Sequence, residues 1–179
     1  EKQPPLLQIR NLKVGYPVKG MFGGTKRVFM AVKDVSFEVK KGETLGLVGE
    51  SGCGKTTLGR SLLRLVEPLS GQILFEGRNI TKLRGKPLQK LRREMQIIFQ
   101  NPFSALDSRM KVGDAVMEPL VIHSIGKSKK ERIDRAAYLL ERVGLSVDAM
   151  NRYPHQFSGG QRQRICIART LACEPKFII

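Results

Sequence analysis

The opening third of the chain alternates apolar and polar positions. Residues 6–14 (LLQIRNLKV) alternate in part and residues 32–39 (VKDVSFEV) alternate clearly, which predicts two half-buried strands. Between them, YPVKGMFGGTKRV is a Gly-rich, basic loop or hairpin. Residues 43–48 (ETLGLV) then run apolar into Gly49, as a parallel strand buried on both faces would. After a glycine-rich turn, Leu58, Leu62, Leu63 and Val66 recur at helical spacing within residues 56–66. GQILFEG (71–77) predicts another strand, PLQKLRRE (87–94) a short helix and MQIIF (95–99) a further buried strand. From Asn101 the period changes. Residues 112–124 and 128–144 predict helices, the second with Ile133, Ala136, Ala137, Leu140 and Val143 on one face and with Ser128 and Glu131 as a capping box. A last helix, from Gly159 to about Cys173, leads into KFII (176–179), an apolar run after Pro175 that predicts the opening of a buried strand. Strands and helices alternate around an inserted helical section, so the expected class is α/β with a helical subdomain.

Composition narrows the partners. A chain of 179 residues, 41% hydrophobic and 27% charged, suits one globular domain. No segment approaches the roughly 18–20 apolar residues of a membrane-spanning helix. The start, EKQPPLLQIR, lacks both an initiator Met and the layout of a secretory signal. Cys53, Cys166 and Cys173 are odd in number and lack C-x-x-C spacing, which argues for reduced thiols over a disulfide framework or a zinc site. The 32 basic and 16 acidic residues give a formal charge of +16, a balance suited to nucleic acid or an anionic membrane. The cations are spread along the chain, however, without the interleaved aromatics of a stacking platform, and this disfavours nucleic acid.

Two stretches carry chemistry. GESGCGKTT, comprising Gly49, Glu50, Ser51, Gly52, Cys53, Gly54, Lys55, Thr56 and Thr57, satisfies G-x-x-x-x-G-K-[ST] between a predicted strand and a predicted helix. Glycines let the backbone wrap so that successive N–H groups point at phosphate oxygens, and the helix N-terminus adds its positive dipole end. Lys55 is placed to reach the β- and γ-phosphates, the Thr56 hydroxyl to meet Mg²⁺, and Thr57 the α-phosphate region. Cys53 reads as a small residue filling a tight turn in preference to a reactive thiol. The second stretch, FSGGQRQR (157–164), opens a helix, and Ser158 with Gln161 fits a capping box. The cap does not account for Gly159 and Gly160, which expose backbone N–H groups at a positive helix end, again suited to phosphate. One nucleotide rarely needs two cradles in one chain, so a second chain facing the first would give each a shared role.

Taken together, these stretches resemble the ABC ATPase family, the nucleotide-binding subunits of ABC transporters. GESGCGKTT resembles its Walker A loop, and FSGGQ its signature, with Phe157 where Leu is usual. IIFQNP (97–102) resembles its Q-loop, with Gln100 at the end of a core strand. The three occur in family order, and the resemblance covers essentially the whole chain. It implies a P-loop NTPase core with an N-terminal antiparallel β subdomain and an inserted helical subdomain, C-terminally incomplete. The division implied is a β subdomain and P-loop core over about 1–99, a helical subdomain over about 100–158 and a return to the core over about 159–179. It also implies ATP and Mg²⁺ as cofactors and a head-to-tail dimer with a second ATPase subunit. Ser158, Gly159, Gly160 and Gln161 would there close in trans on the γ-phosphate. Gln100 would sense Mg²⁺ and the attacking water. Tyr16 best matches the aromatic that stacks on adenine, with Phe22 or Phe29 as alternatives. SALD (104–107) is rejected as the family's D-loop and His155 as its switch histidine, because both of those lie further downstream. KFII matches the first half of the Walker B strand. Its Mg²⁺-binding Asp and general-base Glu would lie beyond Ile179, so these 179 residues alone are expected not to turn over ATP.

Finer likeness, in FQNPFSALDSRMKVGDAVMEPL and RYPHQFSGGQRQRICIART, is to the ATPase subunits of bacterial oligopeptide and dipeptide importers. The long loop between Tyr16 and Val32 fits the second of the two such subunits; nickel and glutathione importers are related. The partners implied are two transmembrane permease subunits and, indirectly, an extracellular or periplasmic solute-binding protein. The implied location is peripheral, on the cytoplasmic face of the bacterial inner membrane. The alternative is a soluble ABC-type ATPase acting on nucleic acid or ribosomes, disfavoured because the segment between the two glycine motifs leaves no room for a coiled coil.

Overall fold

The partial alternation at the start of the chain becomes β1 (Leu7–Val18), paired antiparallel with β2 (Arg27–Val39) and β3 (Ser70–Phe75). The computed structural model describes residues 4–18 and 27–179, and these form two compact units, Glu1–Gln89 and Lys90–Ile179. In the first unit the sheet order is β2-β1-β3-β4, with the two-residue β4 (Arg78–Asn79) at one edge. Leu7, Ile9, Leu12 and Val14 of β1 are all buried, as are Ile73 and Phe75 of β3. The alternation slips between Ile9 and Leu12 because Asn11 adopts a left-handed φ of 47° and shifts the register there. Its N–H donates to Ser36 Oγ (2.8 Å) and its Nδ2 to Asp34 Oδ1 (3.0 Å), so polar groups freed by the bulge are satisfied on β2.

Helix α1 (Lys55–Leu62) buries Leu58 and Leu62 and is shorter than the apolar spacing predicts. Arg64 turns left-handed at φ 56°, and the N–H of Leu65 returns to the carbonyl of Arg60 at 3.0 Å, a left-handed cap that leaves Val66 outside the helix.

Residues 43–48 depart from expectation. Among the described residues no strand pairs with them, and Leu45, Leu47 and Val48 are 48%, 51% and 93% exposed. A parallel strand is held by neighbours on its edges, and an apolar run does not supply them.

α2 (Gly85–Glu94) leads into the second unit and β5 (Met95–Gln96), which pairs in parallel with β6 (Phe177–Ile178). The ladder continues past the assigned residues: Lys176 N–H donates to Glu94 O, Ile179 N–H to Gln96 O and Ile98 N–H to Ile179 O, at 2.8–2.9 Å. The strands predicted at 95–99 and at the end of the chain therefore meet. Four helices complete this unit: α3 (Pro102–Ala105), α4 (Val112–Ile122), α5 (Lys129–Arg142) and α6 (Gly159–Leu171). They close on Val112, Val116, Leu120, Leu140, Ile165 and Ala168. α5 buries Ala136, Leu139 and Leu140, while Ile133, expected on that face, is 38% exposed. Its cap also differs. Ser128 Oγ accepts from Glu131 N, but the Glu131 carboxylate returns to Lys127 N (2.7 Å), one residue before the position a capping box uses. Among the described residues no helix is long and apolar enough to cross a membrane.

Candidate functional site

In the first unit, the glycine-rich loop feeds α1 through Gly54 at φ 99°. A Cβ at Gly54 would lie 2.2 Å from the carbonyl oxygen of Ala31 on β2, so backbone approach and backbone conformation both demand glycine there. α1 begins with no side-chain cap and no acidic residue in its first turn, which leaves its positive end uncompensated. Lys55 Nζ donates to the loop's own carbonyls, Gly49 O at 2.6 Å and Glu50 O at 2.7 Å. With these two bonds and a longer one to Cys53 Sγ, the ammonium is held over the loop. Thr56 is exposed and, at Gly52, a Cβ would meet nothing within 4 Å. A helix end without a side-chain cap, a cation held over the turn, an exposed hydroxyl and open space suit a polyphosphate with its Mg²⁺.

Tyr16 is brought to this loop: its hydroxyl shares a 3.2 Å hydrogen bond with that of Thr57. Phe29 stands opposite Tyr16 in the β1–β2 register and is 59% exposed. It also lines a cavity of about 480 Å³ together with Lys33, Cys53, Gly54 and Lys55. Phe22 lies outside the described residues. Cys53 is exposed, with Sγ 3.5 Å from Lys55 Nζ and 2.7 Å from where a Cβ at Gly49 would stand, so its sulfur lies against the loop's own residues. Burial instead pushes the thiols of Cys166 and Cys173 above their ordinary range, which keeps them protonated and inert.

The second unit holds the other candidates. Gln100 is exposed, follows the β5 segment and directly precedes Asn101, whose side chain caps α3. Ser158 caps α6 with the full reciprocal box: its Oγ accepts from Gln161 N (3.3 Å), and Gln161 Oε1 accepts from Ser158 N (3.0 Å). A hydroxyl that accepts in a cap still has its own proton to donate, so capping and phosphate binding do not compete for Ser158. A Cβ at Gly160 would meet nothing within 4 Å, so that face of the helix end is open. Phe157 is buried in the helical core, where an apolar residue is required. His155 sits in a short 3-10 turn (Pro154–Gln156), stacked on Tyr153 with centroids 5.8 Å apart.

α3 was not foreseen, although the Asn101-Pro102 dipeptide carries its signal, an Asx cap followed by proline at the first helical position. Phe103 and Arg162, which meet through that helix, were also missed.

Residues 32–179 match the ABC transporter family. The chain belongs to that family. Its curated relatives include the glutathione import ATP-binding protein GsiA of Pectobacterium atrosepticum, 52% identical over 176 residues, and those of Salmonella typhimurium and Escherichia coli O157:H7, each 53% identical. Each alignment covers 98% of this chain, and the chain spans 28% of the length of these relatives. Among solved structures, the dimeric, ADP- and Pi-bound post-hydrolysis state of the ATP-binding cassette MJ0796 has a TM-score of 0.84 at 30% identity. It matches over 96% of this chain and 72% of that one. The dimeric structure of MJ0796 described as a bacterial ABC transporter cassette gives 0.83 at the same identity and coverage. The fold is therefore that of the ABC ATPase cassettes, a P-loop NTPase fold carrying the antiparallel sheet of β1–β4 and the helices α3–α6.

Proposed function

We propose that the protein is the ATP-binding and ATP-hydrolysing subunit of an ABC importer that carries oligopeptides or dipeptides across the bacterial inner membrane. The observation that carries this reading is the uncapped α1 N-terminus behind a glycine loop with Lys55 held over it, in a member of the ABC transporter family. Support for a small-peptide cargo comes from the relatives named for glutathione import, since glutathione is itself a tripeptide.

Lys55 exchanges its bonds to Gly49 and Glu50 for β- and γ-phosphate oxygens, while the N–H groups of Gly52 to Thr57 surround the triphosphate. The Thr56 hydroxyl and Gln100 are the residues that would hold Mg²⁺, which when bound would supply charge neutralisation on the triphosphate. Tyr16 stacks on adenine, its ring steadied by the bond to Thr57. In a head-to-tail dimer with a second ATPase subunit, the Ser158 hydroxyl and the N–H groups of Gly159, Gly160 and Gln161 of the facing chain meet the γ-phosphate. Gln100 orients the attacking water and relays closure to two permease subunits at the cytoplasmic face of the membrane. Specificity for the peptide resides in the permeases and the solute-binding protein.

Equilibrium ATP binding to the full-length protein, followed by ATPase assays with its permease pair in vesicles, tests the reading. Lys55→Ala is expected to weaken ATP binding by tenfold or more, and peptide-loaded binding protein to raise turnover. Unchanged ATP affinity in Lys55→Ala, or stimulation by DNA or RNA and not by the permeases, would overturn it.

A further inference from the structure

Phe103 is 61% exposed and stands outside the buried helical cluster around Val112 and Ile165, yet three contacts fix it. Its N–H donates to Asn101 Oδ1 at 2.9 Å, which anchors it two residues beyond the cap that follows Gln100. The guanidinium carbon of Arg162 stands 4.3 Å from its ring centroid, a cation–π distance. The edge of the same ring approaches Gly159, where a Cβ would lie 3.7 Å from two ring carbons. Arg162 in turn donates its Nε–H to the carbonyl of Phe157 at 3.0 Å, the peptide group that leads into Ser158. The turn at 157–159 is thus touched twice by one pair, with the guanidinium at the carbonyl before Ser158 and the ring at the glycine after it. A second tie, from Arg169 to the carbonyl of Ala105 at 2.7 Å, holds the far end of α3 against α6.

We propose that Phe103 and Arg162 are a coupled pair of positioning residues that sets the Ser158–Gly160 turn from the segment beginning at Gln100. Movement of Gln100 and its Asn101 cap shifts the ring. The ring carries the guanidinium, and the guanidinium pulls the carbonyl that aims Ser158. This inference rests on the reading in which Ser158–Gly160 meets the γ-phosphate. Neither side chain touches nucleotide bound at its own chain's glycine loop in that reading, so the pair acts on turnover and leaves that loop's affinity alone.

The test uses the full-length protein as wild type, Phe103→Leu, Arg162→Gln, the double variant and Phe103→Tyr. Hydrogen exchange of the amides at 158–161 reads the turn without requiring ATP hydrolysis. Protection should fall about threefold in each single variant and no further in the double, the magnitude of an exposed cation–π contact. In ATPase assays kcat should fall about three- to tenfold with ATP affinity unchanged, and Phe103→Tyr, which keeps the π face, should retain both wild-type values. Additive losses in the double variant, unchanged exchange in the singles, or loss of ATP affinity alone would overturn the coupling. A coupled exchange pattern in a wild-type protein that hydrolyses no ATP would instead sink the ATPase reading and leave the pair standing. Normal ATPase activity with unchanged exchange in the variants would do the reverse.

Discussion

Glycines 52 and 54 share a left-handed backbone, at φ 81° and 99°, yet their surroundings differ. Alanine at Gly52 would meet open space, so its cost is conformational, about 1–2 kcal/mol. Alanine at Gly54 adds an overlap with the Ala31 carbonyl at 2.2 Å, and that oxygen belongs to a paired strand that cannot move without disturbing the sheet. Gly54→Ala is therefore expected to cost about 3 kcal/mol or more, and Gly52→Ala about 1 kcal/mol or more below that. Urea midpoints at constant m value measure both. Equal losses would show that the approach of β2 to the loop places no constraint on Gly54.

Two helices offer the same cap chemistry in different settings. Ser128 and Ser158 each accept a hydrogen bond from the residue three positions on, Glu131 and Gln161. Alanine at either should lower stability by about 1 kcal/mol. The two variants are expected to part company in turnover. Ser128→Ala should leave kcat per folded molecule unchanged, whereas Ser158→Ala, which in the proposed dimer would remove a donor to the γ-phosphate, should lower kcat about tenfold or more. Steady-state ATPase assays of the full-length protein, corrected for folded fraction, decide it, and equal kcat values would reduce Ser158 to a helix cap. These elements were legible in the sequence because cap and glycine-loop chemistry is local: S-x-x-Q and G-x-x-x-x-G-K-T name their own partners within a few residues. Contacts between distant residues were not legible. Nothing near Phe103 announces Arg162, and the apolar spacing of α5 places Ile133 on a face that in the fold has packing only from Ala136 onwards. The β1 bulge lies between these cases. Its broken alternation shows in the sequence, while its cause, Asn11 bonding to Asp34 and Ser36, lies across the sheet.

At the scale of the whole molecule, residues 43–48 pose the main physical problem. Leu45, Leu47 and Val48 expose large apolar side chains, and no strand pairs with this segment among the described residues. Such a segment is a template for strand addition and a source of aggregation unless something covers it. It also leads directly into Gly49, so its order sets how firmly the glycine loop and Lys55 are held. The solved cassettes extend beyond the part this chain matches, which is 72% of their length. In the full-length protein we expect residues 43–48 to be laddered on both edges. Their amides should then exchange on the slow scale of the β1 core around Leu7 and Ile9, and Leu47→Asp should destabilise by about 3 kcal/mol through an unpaired buried charge. Hydrogen exchange with peptide coverage of 43–50 and of 6–14 compares the two directly. Fast exchange at 43–48 beside slow exchange at 6–14, with Leu47→Asp tolerated, would mean that the glycine loop hangs from an open segment, and ATP binding itself would then have to order it.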